Sequence, residues 1–139
     1  MRLKLRVIKP LLFVFGSSFI CHSAVVNAAA PAERGQYLVD HVAMCVECHT
    51  PRDQSGKLLK NSYLRGAAIP VKAPSFPNMK WAAKAPNIVG LPSYSEEQGI
   101  RLLTEGINRD GKTPDPPMPQ FRLTRDDAAA IVAYLKSLK

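Results

Sequence analysis

Apolar residues recur at helical spacing in three separate segments of the chain. The first segment lies within a proline-free run over residues 32 to about 44, where Tyr37, Leu38, His41 and Val42 fall at helical spacing. This run leads directly into a short motif that contains two cysteines. The pattern predicts a first helix over residues 32–44.

The second segment begins at Ser95, where a helix N-cap is expected, and Gln98 follows three positions later. Serine followed at this distance by glutamine is the sequence pattern of a capping box. The apolar stripe that comes next consists of Ile100, Leu103 and Ile107. We therefore predict a helix from about Glu96 to Glu105, ending near Gly106.

The third segment repeats the same arrangement. Thr124 is the predicted N-cap, and Asp127 lies three residues after it. One helical face then carries Ala128, Ile131, Val132, Leu135 and Leu138. This spacing predicts an amphipathic last helix.

Between the first two helices, residues 50–94 carry many prolines, several glycines and no sustained periodicity. A structureless stretch of this length counts against a compact domain unless it can pack on something other than neighbouring helices. The predicted fold class is all-α, with about three main helices and long loops.

Cys45, Cys48 and His49 form a Cys-x-x-Cys-His motif at the end of the first predicted helix. One turn of backbone presents two thiols that can add to the vinyl groups of a haem, and it leaves the adjacent imidazole beneath the iron. The motif predicts one covalently attached haem c, with Cys45 and Cys48 as attachment residues and His49 as proximal iron ligand. The long loops can then wrap around this haem.

Other interpretations of the motif are open. A redox-active dithiol normally follows a strand in a βαβ unit and needs no adjacent histidine. A structural zinc site needs further ligands, and the other cysteine and histidines are Cys21, His22 and His41. A disulfide between Cys45 and Cys48 is the remaining alternative.

Residues 1–28 are predicted to be a secretory signal peptide, cleaved after Ala28, which leaves one domain over residues 29–139 in the periplasm. An apolar stretch over residues 11–20 follows a cationic start and is short for a membrane span. Cleavage removes Arg2, Lys4, Arg6 and Lys9 and no acidic residue, so the formal charge falls from +8 to +4. Nucleic-acid binding is therefore not expected. An uncleaved segment that acts as an anchor is the alternative.

These parts together resemble class I cytochrome c over essentially all of residues 29–139. The resemblance is carried by Gly35, Tyr37, the motif at 45–49, the run Pro116-Pro117-Met118-Pro119, and Tyr134-Leu135. Segments 34–39 and 48–53 are similar to the haem units in cytochrome subunits of periplasmic alcohol and gluconate dehydrogenases. Those subunits typically join three haem domains, whereas this chain has one.

The resemblance implies a helix crossing and a second iron ligand. In the family, a glycine in the first helix accepts an aromatic residue of the last helix, and Gly35 and Tyr134 match these roles. Met118 is framed by prolines shortly before the last helix and matches the distal methionine ligand. Met79 and a vacant or water-filled position are the alternatives, because Met44 adjoins the motif on the proximal side.

Three other groups of residues have open roles. His41 is interpreted as a surface or hinge histidine, because it lies on the helix that leads to the proximal side. Trp81 either packs in the middle loop or donates from its indole to a haem propionate. Lys72, Lys80 and Lys84 are interpreted as a solvated face that can steer redox partners.

The sequence thus predicts a periplasmic monohaem c-type cytochrome that transfers single electrons between a donor and an acceptor protein, from a dehydrogenase to a higher-potential acceptor. Six-coordinate iron leaves no position for a substrate, so an electron carrier and not an enzyme is expected. One alternative is a tightly bound cytochrome subunit of a periplasmic dehydrogenase instead of a monomer. Another is a haem gas sensor or peroxidase-like enzyme with an open iron position.

Overall fold

The computed structural model describes residues 29–139, so the predicted signal peptide lies outside the described residues. The helices are α1 (Ala29–Tyr37), a π-helical turn (Leu38–Val42), α2 (Cys45–His49), a 3-10 turn (Lys60–Ser62), α3 (Glu96–Glu105) and α4 (Arg125–Ser137). Two short strands, β1 (Ala67–Ala68) and β2 (Lys84–Ala85), pair antiparallel. The all-α prediction with three main helices is confirmed. Within residues 29–139, no helix is both long and apolar enough to cross a membrane.

The first predicted helix differs from the structure at both ends. It begins at Ala29, and its α-helical part ends at Tyr37, where the wider π-helical turn takes over. The π-helical turn places consecutive residues Leu38 and Val39 in the core, with exposed fractions of 3% and 0%. Met44 then adopts a left-handed conformation with φ of 51°, which breaks the helix and redirects the chain into α2.

The predicted capping box of α3 is present in full. The Ser95 hydroxyl accepts a hydrogen bond from the Gln98 amide, and the Gln98 side chain accepts one from the Ser95 amide. The helix ends at Gly106, whose φ of 71° suits a glycine and whose N–H donates to the carbonyl oxygen of Leu102. The predicted bounds of α3 are therefore confirmed.

The N-terminus of α4 has one of the two hydrogen bonds of a capping box. The Thr124 hydroxyl accepts a hydrogen bond from the amide of Asp127, as predicted. The Asp127 carboxylate does not complete a capping box and instead accepts a 2.7 Å hydrogen bond from Nε of Arg34 in α1. The side chain that would have closed the cap thus joins the first and last helices.

The core lies where α4 crosses α1 and α3. A methyl group at Gly35 would lie 2.1 Å from the carbonyl oxygen of Ala130, and one at Gly99 would lie 2.9 Å from Cγ2 of Val132. Both glycines therefore permit close helix contact. The buried apolar residues of the cluster are Leu38, Val39, Val46, Leu64, Ile100, Leu103, Ala128, Ala130, Ile131, Val132, Tyr134 and Leu135.

The middle loop is fastened to the cysteine motif by hydrogen bonds. The amide of Leu64 donates to the Thr50 hydroxyl at 3.0 Å, and the amide of Gly66 donates to the carbonyl oxygen of His49 at 2.8 Å. Leu64 is fully buried. These contacts place β1 beside α2, and pairing with β2 brings the distant segment around residue 85 to the same side.

Candidate haem site

The cysteine motif occupies a single helical turn. Helix α2 starts after the left-handed Met44 and carries Cys45, Cys48 and His49 within five residues. The two cysteines are half-buried and are not joined by a disulfide, and His49 is only 8% exposed. The local fold therefore gathers both thiols and the imidazole on one turn, as haem attachment requires.

The orientation of His49 is fixed by a backbone acceptor. Its Nδ1 lies 2.8 Å from the carbonyl oxygen of Pro86, just beyond β2. A carbonyl oxygen can only accept, so Nδ1 carries the hydrogen and Nε2 keeps its lone pair. Burial lowers the pKa of His49, which favours the neutral ring despite the opposing effect of Pro86. An imidazole held in this way is prepared to ligate a metal through Nε2.

The cysteine environment is unlike that of a redox-active dithiol. The pKa of the Cys45 thiol is raised to about 11. Burial is the main cause, and the negative charge of Asp40 also raises it. Reactive cysteines in dithiol oxidoreductases need a lowered pKa, because the thiolate is the nucleophile. Cys45 is therefore a poor candidate for dithiol exchange.

Met118 lies in the long loop between α3 and α4 and is half-buried. The loop is held in place because the amide of Ala82 donates to the carbonyl oxygen of Pro116 at 2.7 Å. The segment from Ala82 to Pro86 thus contacts both the Met118 loop and His49. By contrast, Met79 is 45% exposed. Enclosure and backbone support both favour Met118 over Met79 as the second ligand.

Two buried nitrogen donors have no acceptor within the described residues. They are Nε1 of Trp81 and Nε of Arg101, although Nη2 of Arg101 donates to the carbonyl oxygen of Asn108. An unpaired buried donor costs roughly 1–3 kcal/mol, so an acceptor is expected at both positions. The propionate groups of a haem are carboxylates and meet this need. The donor set therefore fits a haem.

Arg101 was not singled out in the sequence, whereas Trp81 was. The sequence signal that could have identified Arg101 was its position directly beside the apolar stripe of α3, next to Ile100.

His41 is exposed, with its ring centroid 5.5 Å from that of Tyr37, which agrees with the surface interpretation.

The loop between β1 and β2 presents cationic and apolar side chains to solvent. Its exposed large apolar residues are Val71, Phe76 and Met79. Lys72 and Lys80 in this loop and Lys84, which begins β2, are also exposed. Positive charge that can attract a partner and apolar surface that can contact it therefore occur together in one segment of the chain.

The family model for cytochrome c matches residues 32–139, which include every element from the π-helical turn to α4. The chain belongs to the cytochrome c family. Family membership implies covalently bound haem c, and Cys45, Cys48 and His49 occupy the motif position of this cytochrome. Their roles as attachment residues and ligand, and that of Met118, stay predictions.

Several cytochromes are similar to this cytochrome. It is 33% identical over 115 residues to the fructose dehydrogenase cytochrome subunit of Gluconobacter japonicus, covering 76% of this chain and 21% of that protein. It is 34% identical over 116 residues to the gluconate 2-dehydrogenase cytochrome c subunit of Pantoea cypripedii, covering 76% and 25%. A diheme cytochrome c-type protein of Cereibacter sphaeroides is 32% identical over 115 residues, covering 79% and 36%.

These relatives are much longer than the region they share with this cytochrome, which spans 21 to 36% of their length. The predicted resemblance to cytochrome subunits of dehydrogenases is confirmed at modest identity. The activities of the dehydrogenases that contain such subunits are properties of those proteins.

Proposed function

We propose that the protein is a periplasmic monohaem c-type cytochrome that passes single electrons from a dehydrogenase to a higher-potential acceptor. The observation that carries this proposal is the His49–Pro86 hydrogen bond next to the two thiols of α2. It leaves Nε2 of His49 as a ligand on the turn that would hold the haem covalently. When bound, the haem supplies one-electron chemistry between ferric and ferrous iron.

The residues of this chain have separate tasks in the proposal. Cys45 and Cys48 would hold the haem by two thioethers, and His49 and Met118 would supply the two protein ligands of its iron. Two protein ligands close the iron to substrates, so the protein acts as a carrier and not as an enzyme. The soft thioether of Met118 favours ferrous iron and thus a positive potential.

The middle loop has a different task. Lys72, Lys80 and Lys84 lie among the exposed apolar side chains of the same stretch, and we assign this surface to partner docking. Transient redox complexes use small interfaces in which charge steers the encounter.

A second candidate is supported by the names of the relatives. Two of them are subunits of fructose and gluconate dehydrogenases, so this cytochrome could be a permanently bound subunit that accepts electrons from a larger catalytic chain. Isolation from native cells discriminates the two candidates. A free shuttle separates from the dehydrogenase during purification, whereas a bound subunit elutes with it at constant ratio.

The proposed location rests on residues 1–28, with their cationic start and apolar stretch. N-terminal sequencing of the haem-loaded protein should begin near Ala29. Recovery of an intact Met1 on membrane-bound protein would instead identify an uncleaved anchor.

The experiment that tests the proposal is intact-mass analysis of the protein after periplasmic expression with haem-attachment machinery. The mass should correspond to residues 29–139 plus one haem, and the haem should remain attached after acid-acetone extraction. Cys48→Ala should leave at most one thioether, and His49→Ala should lose the low-spin spectrum. His41→Ala, at an exposed histidine outside the motif, is the matched control and should change neither result. Extraction of the haem from the unaltered protein would refute covalent attachment.

The gas-sensor or peroxidase-like alternative requires an open iron position. Carbon monoxide binding measured on the reduced protein tests it directly. Slow or absent binding supports a second protein ligand on the iron, and rapid binding supports the alternative.

A further inference from the structure

Three polar side chains form a hydrogen-bonded chain that joins the π-helical turn, the middle loop and the last helix. The hydroxyl of Tyr63 donates to Oδ1 of Asp40 at 2.5 Å. The same hydroxyl oxygen lies 3.1 Å from the hydroxyl of Tyr134 in α4. Asp40 and Tyr63 are half-buried, and Tyr134 is buried. We call these three residues the Asp40 network.

The direction of the hydrogen bonds follows from their chemistry. A carboxylate only accepts, so the single hydrogen of the Tyr63 hydroxyl is committed to Asp40. Tyr134 must then donate to the oxygen of Tyr63. Burial first, and then the hydrogen bond to Asp40, hold the pKa of Tyr63 well above its ordinary value, so the phenol remains a donor. Both hydroxyl dipoles therefore point toward a fixed negative charge.

The network lies next to the haem attachment motif. Asp40 belongs to the π-helical turn that precedes α2, and its charge is one of the causes that raise the pKa of the Cys45 thiol, after burial. On the other side, Tyr63 precedes Leu64, whose amide donates to Thr50, the residue after His49. Asp40 thus lies on the segment that continues into the motif, and its partner Tyr63 lies on a segment that is hydrogen-bonded to the residue after the motif.

A fixed charge near a haem changes the balance between its two oxidation states. Ferric iron carries one positive charge more than ferrous iron, so a nearby carboxylate stabilises the oxidised form. The effect is stronger where the surroundings are partly buried, because the local dielectric constant is lower than in water. Hydrogen-bond donors aimed at the carboxylate reduce its effective charge.

We infer that the negative charge of Asp40 lowers the reduction potential of the haem. The hydrogen bonds that Tyr63 and Tyr134 direct toward this charge limit the effect. The inference rests on the proposed function, because it requires a haem attached at Cys45. It assigns to the Asp40 network a redox role beyond joining the helices.

The test is spectroelectrochemical measurement of the midpoint potential of the haem-loaded protein. Asp40→Asn keeps the shape of the side chain and removes its charge, so the potential should shift in the positive direction. Tyr63→Phe removes the donor and leaves the charge, so the potential should shift in the negative direction. Asp126→Asn removes an exposed charge at the start of α4 and should leave the potential unchanged.

The double variant Asp40→Asn/Tyr63→Phe separates electrostatics from packing. If Tyr63 acts through the charge of Asp40, its replacement should have no effect on the potential once that charge is absent. An equal effect of Tyr63→Phe with and without the charge would overturn the inference, because a change in haem exposure does not depend on Asp40.

Failure of the inference can be distinguished from failure of the proposed function. Absence of covalent haem from the unaltered protein would refute the proposed function. A low-spin haem in every variant, with an unchanged potential in Asp40→Asn, would overturn only the role of Asp40. If Asp40→Asn does not fold, Tyr134→Phe removes the outer donor alone. Its potential should then shift slightly in the negative direction, and an unchanged or positive value would overturn the inference.

Discussion

Gly35 in α1 and Ala130 in α4 approach so closely that a methyl group on Gly35 would lie 2.1 Å from the carbonyl oxygen of Ala130. The same methyl group would lie 2.7 Å from Cβ of Tyr134. The carbonyl group of Ala130 belongs to the backbone of α4, so it cannot move aside as the end of a flexible side chain can. The crossing of the first and last helices therefore requires glycine at this position.

Gly35→Ala should destabilise the protein by about 1–3 kcal/mol or more, because the overpacked helices must separate. The measurement is urea denaturation of the haem-loaded protein. Gln36→Ala is the control, since Gln36 is exposed on the same helix and alanine favours helix formation. Equal stability of Gly35→Ala and the unaltered protein would show that the helices can move apart freely.

Met118→Ala should abolish the weak far-red sulfur-to-iron band of the ferric protein and lower its potential, because water or another ligand replaces the thioether. Met79→Ala is the matched control and should retain the band, since Met79 is 45% exposed whereas Met118 is half-buried in a supported loop. Loss of the band in Met79→Ala alone would reverse the assignment of the distal ligand.

Trp81→Phe should destabilise the haem-loaded protein by about 1–3 kcal/mol, because it removes a buried donor that we pair with a haem propionate. Arg101→Lys should act in the same direction, because it removes the Nε donor and keeps the charge. Denaturation monitored by haem absorbance measures both. Tyr94→Phe, which alters a half-buried aromatic residue elsewhere, is the control. Unchanged stability in both Trp81→Phe and Arg101→Lys would show that these two residues do not donate hydrogen bonds to the propionates.

The three main helices could be predicted because their signals are local. Ser95 and Gln98 define the start of α3, Gly106 defines its end, and Thr124 marks the start of α4. Each of these residues lies within one turn of the boundary it sets. The close crossing at Gly35 followed from the family resemblance, which also supplied Met118.

The remaining features depend on contacts between distant residues. The change from α1 to a π-helical turn after Tyr37 accompanies the burial of both Leu38 and Val39, which the spacing of the segment does not reveal. Pro86 orients His49 through a carbonyl oxygen, a group that every residue has. Asp40 meets Tyr63 across 23 positions of sequence. No pattern along the chain marks such pairs.

The ion pair between Arg34 and Asp127 makes stability depend on acid pH. Hydrogen bonding by the Arg34 guanidinium lowers the pKa of Asp127 below its ordinary value of 3.8. The folded state therefore binds this proton less readily than the unfolded state, and the stabilisation is fully present above that value. It is lost as the pH falls through the lowered pKa of the folded state.

Denaturation midpoints of the unaltered protein and of Asp127→Asn, measured between neutral and acid pH, check this dependence. The unaltered protein should be more stable at neutral pH, and the difference should vanish at the acid end. The difference should be small, because the Arg34 side chain is 56% exposed and solvent screens the pair. Asp126→Asn, at an exposed neighbouring position, is the control. A difference that persists at acid pH would assign the effect to packing.

Partner docking should depend on the loop between β1 and β2 and on Lys84, which begins β2. Replacing Lys72, Lys80 and Lys84 by glutamate should slow second-order reduction by the donor, because these lysines lie among exposed apolar side chains. The control replaces Lys57, Lys60 and Lys136 by glutamate, which changes the net charge equally at other exposed positions. Equal slowing in both triple variants would show that net charge, and not this loop, governs the encounter.

The salt dependence of the same reaction distinguishes a shuttle from a bound subunit. The screening length falls to about 10 Å at 0.1 M salt, so long-range attraction between exposed charges weakens as salt is added. Reduction of a free cytochrome should therefore slow when ionic strength rises from low to physiological values, and the Lys72, Lys80 and Lys84 variant should lose most of this dependence. Stopped-flow kinetics with the isolated donor provide the measurement. A rate independent of both salt and these lysines would mean that no diffusional encounter precedes electron transfer, and it would favour a cytochrome permanently bound to its dehydrogenase.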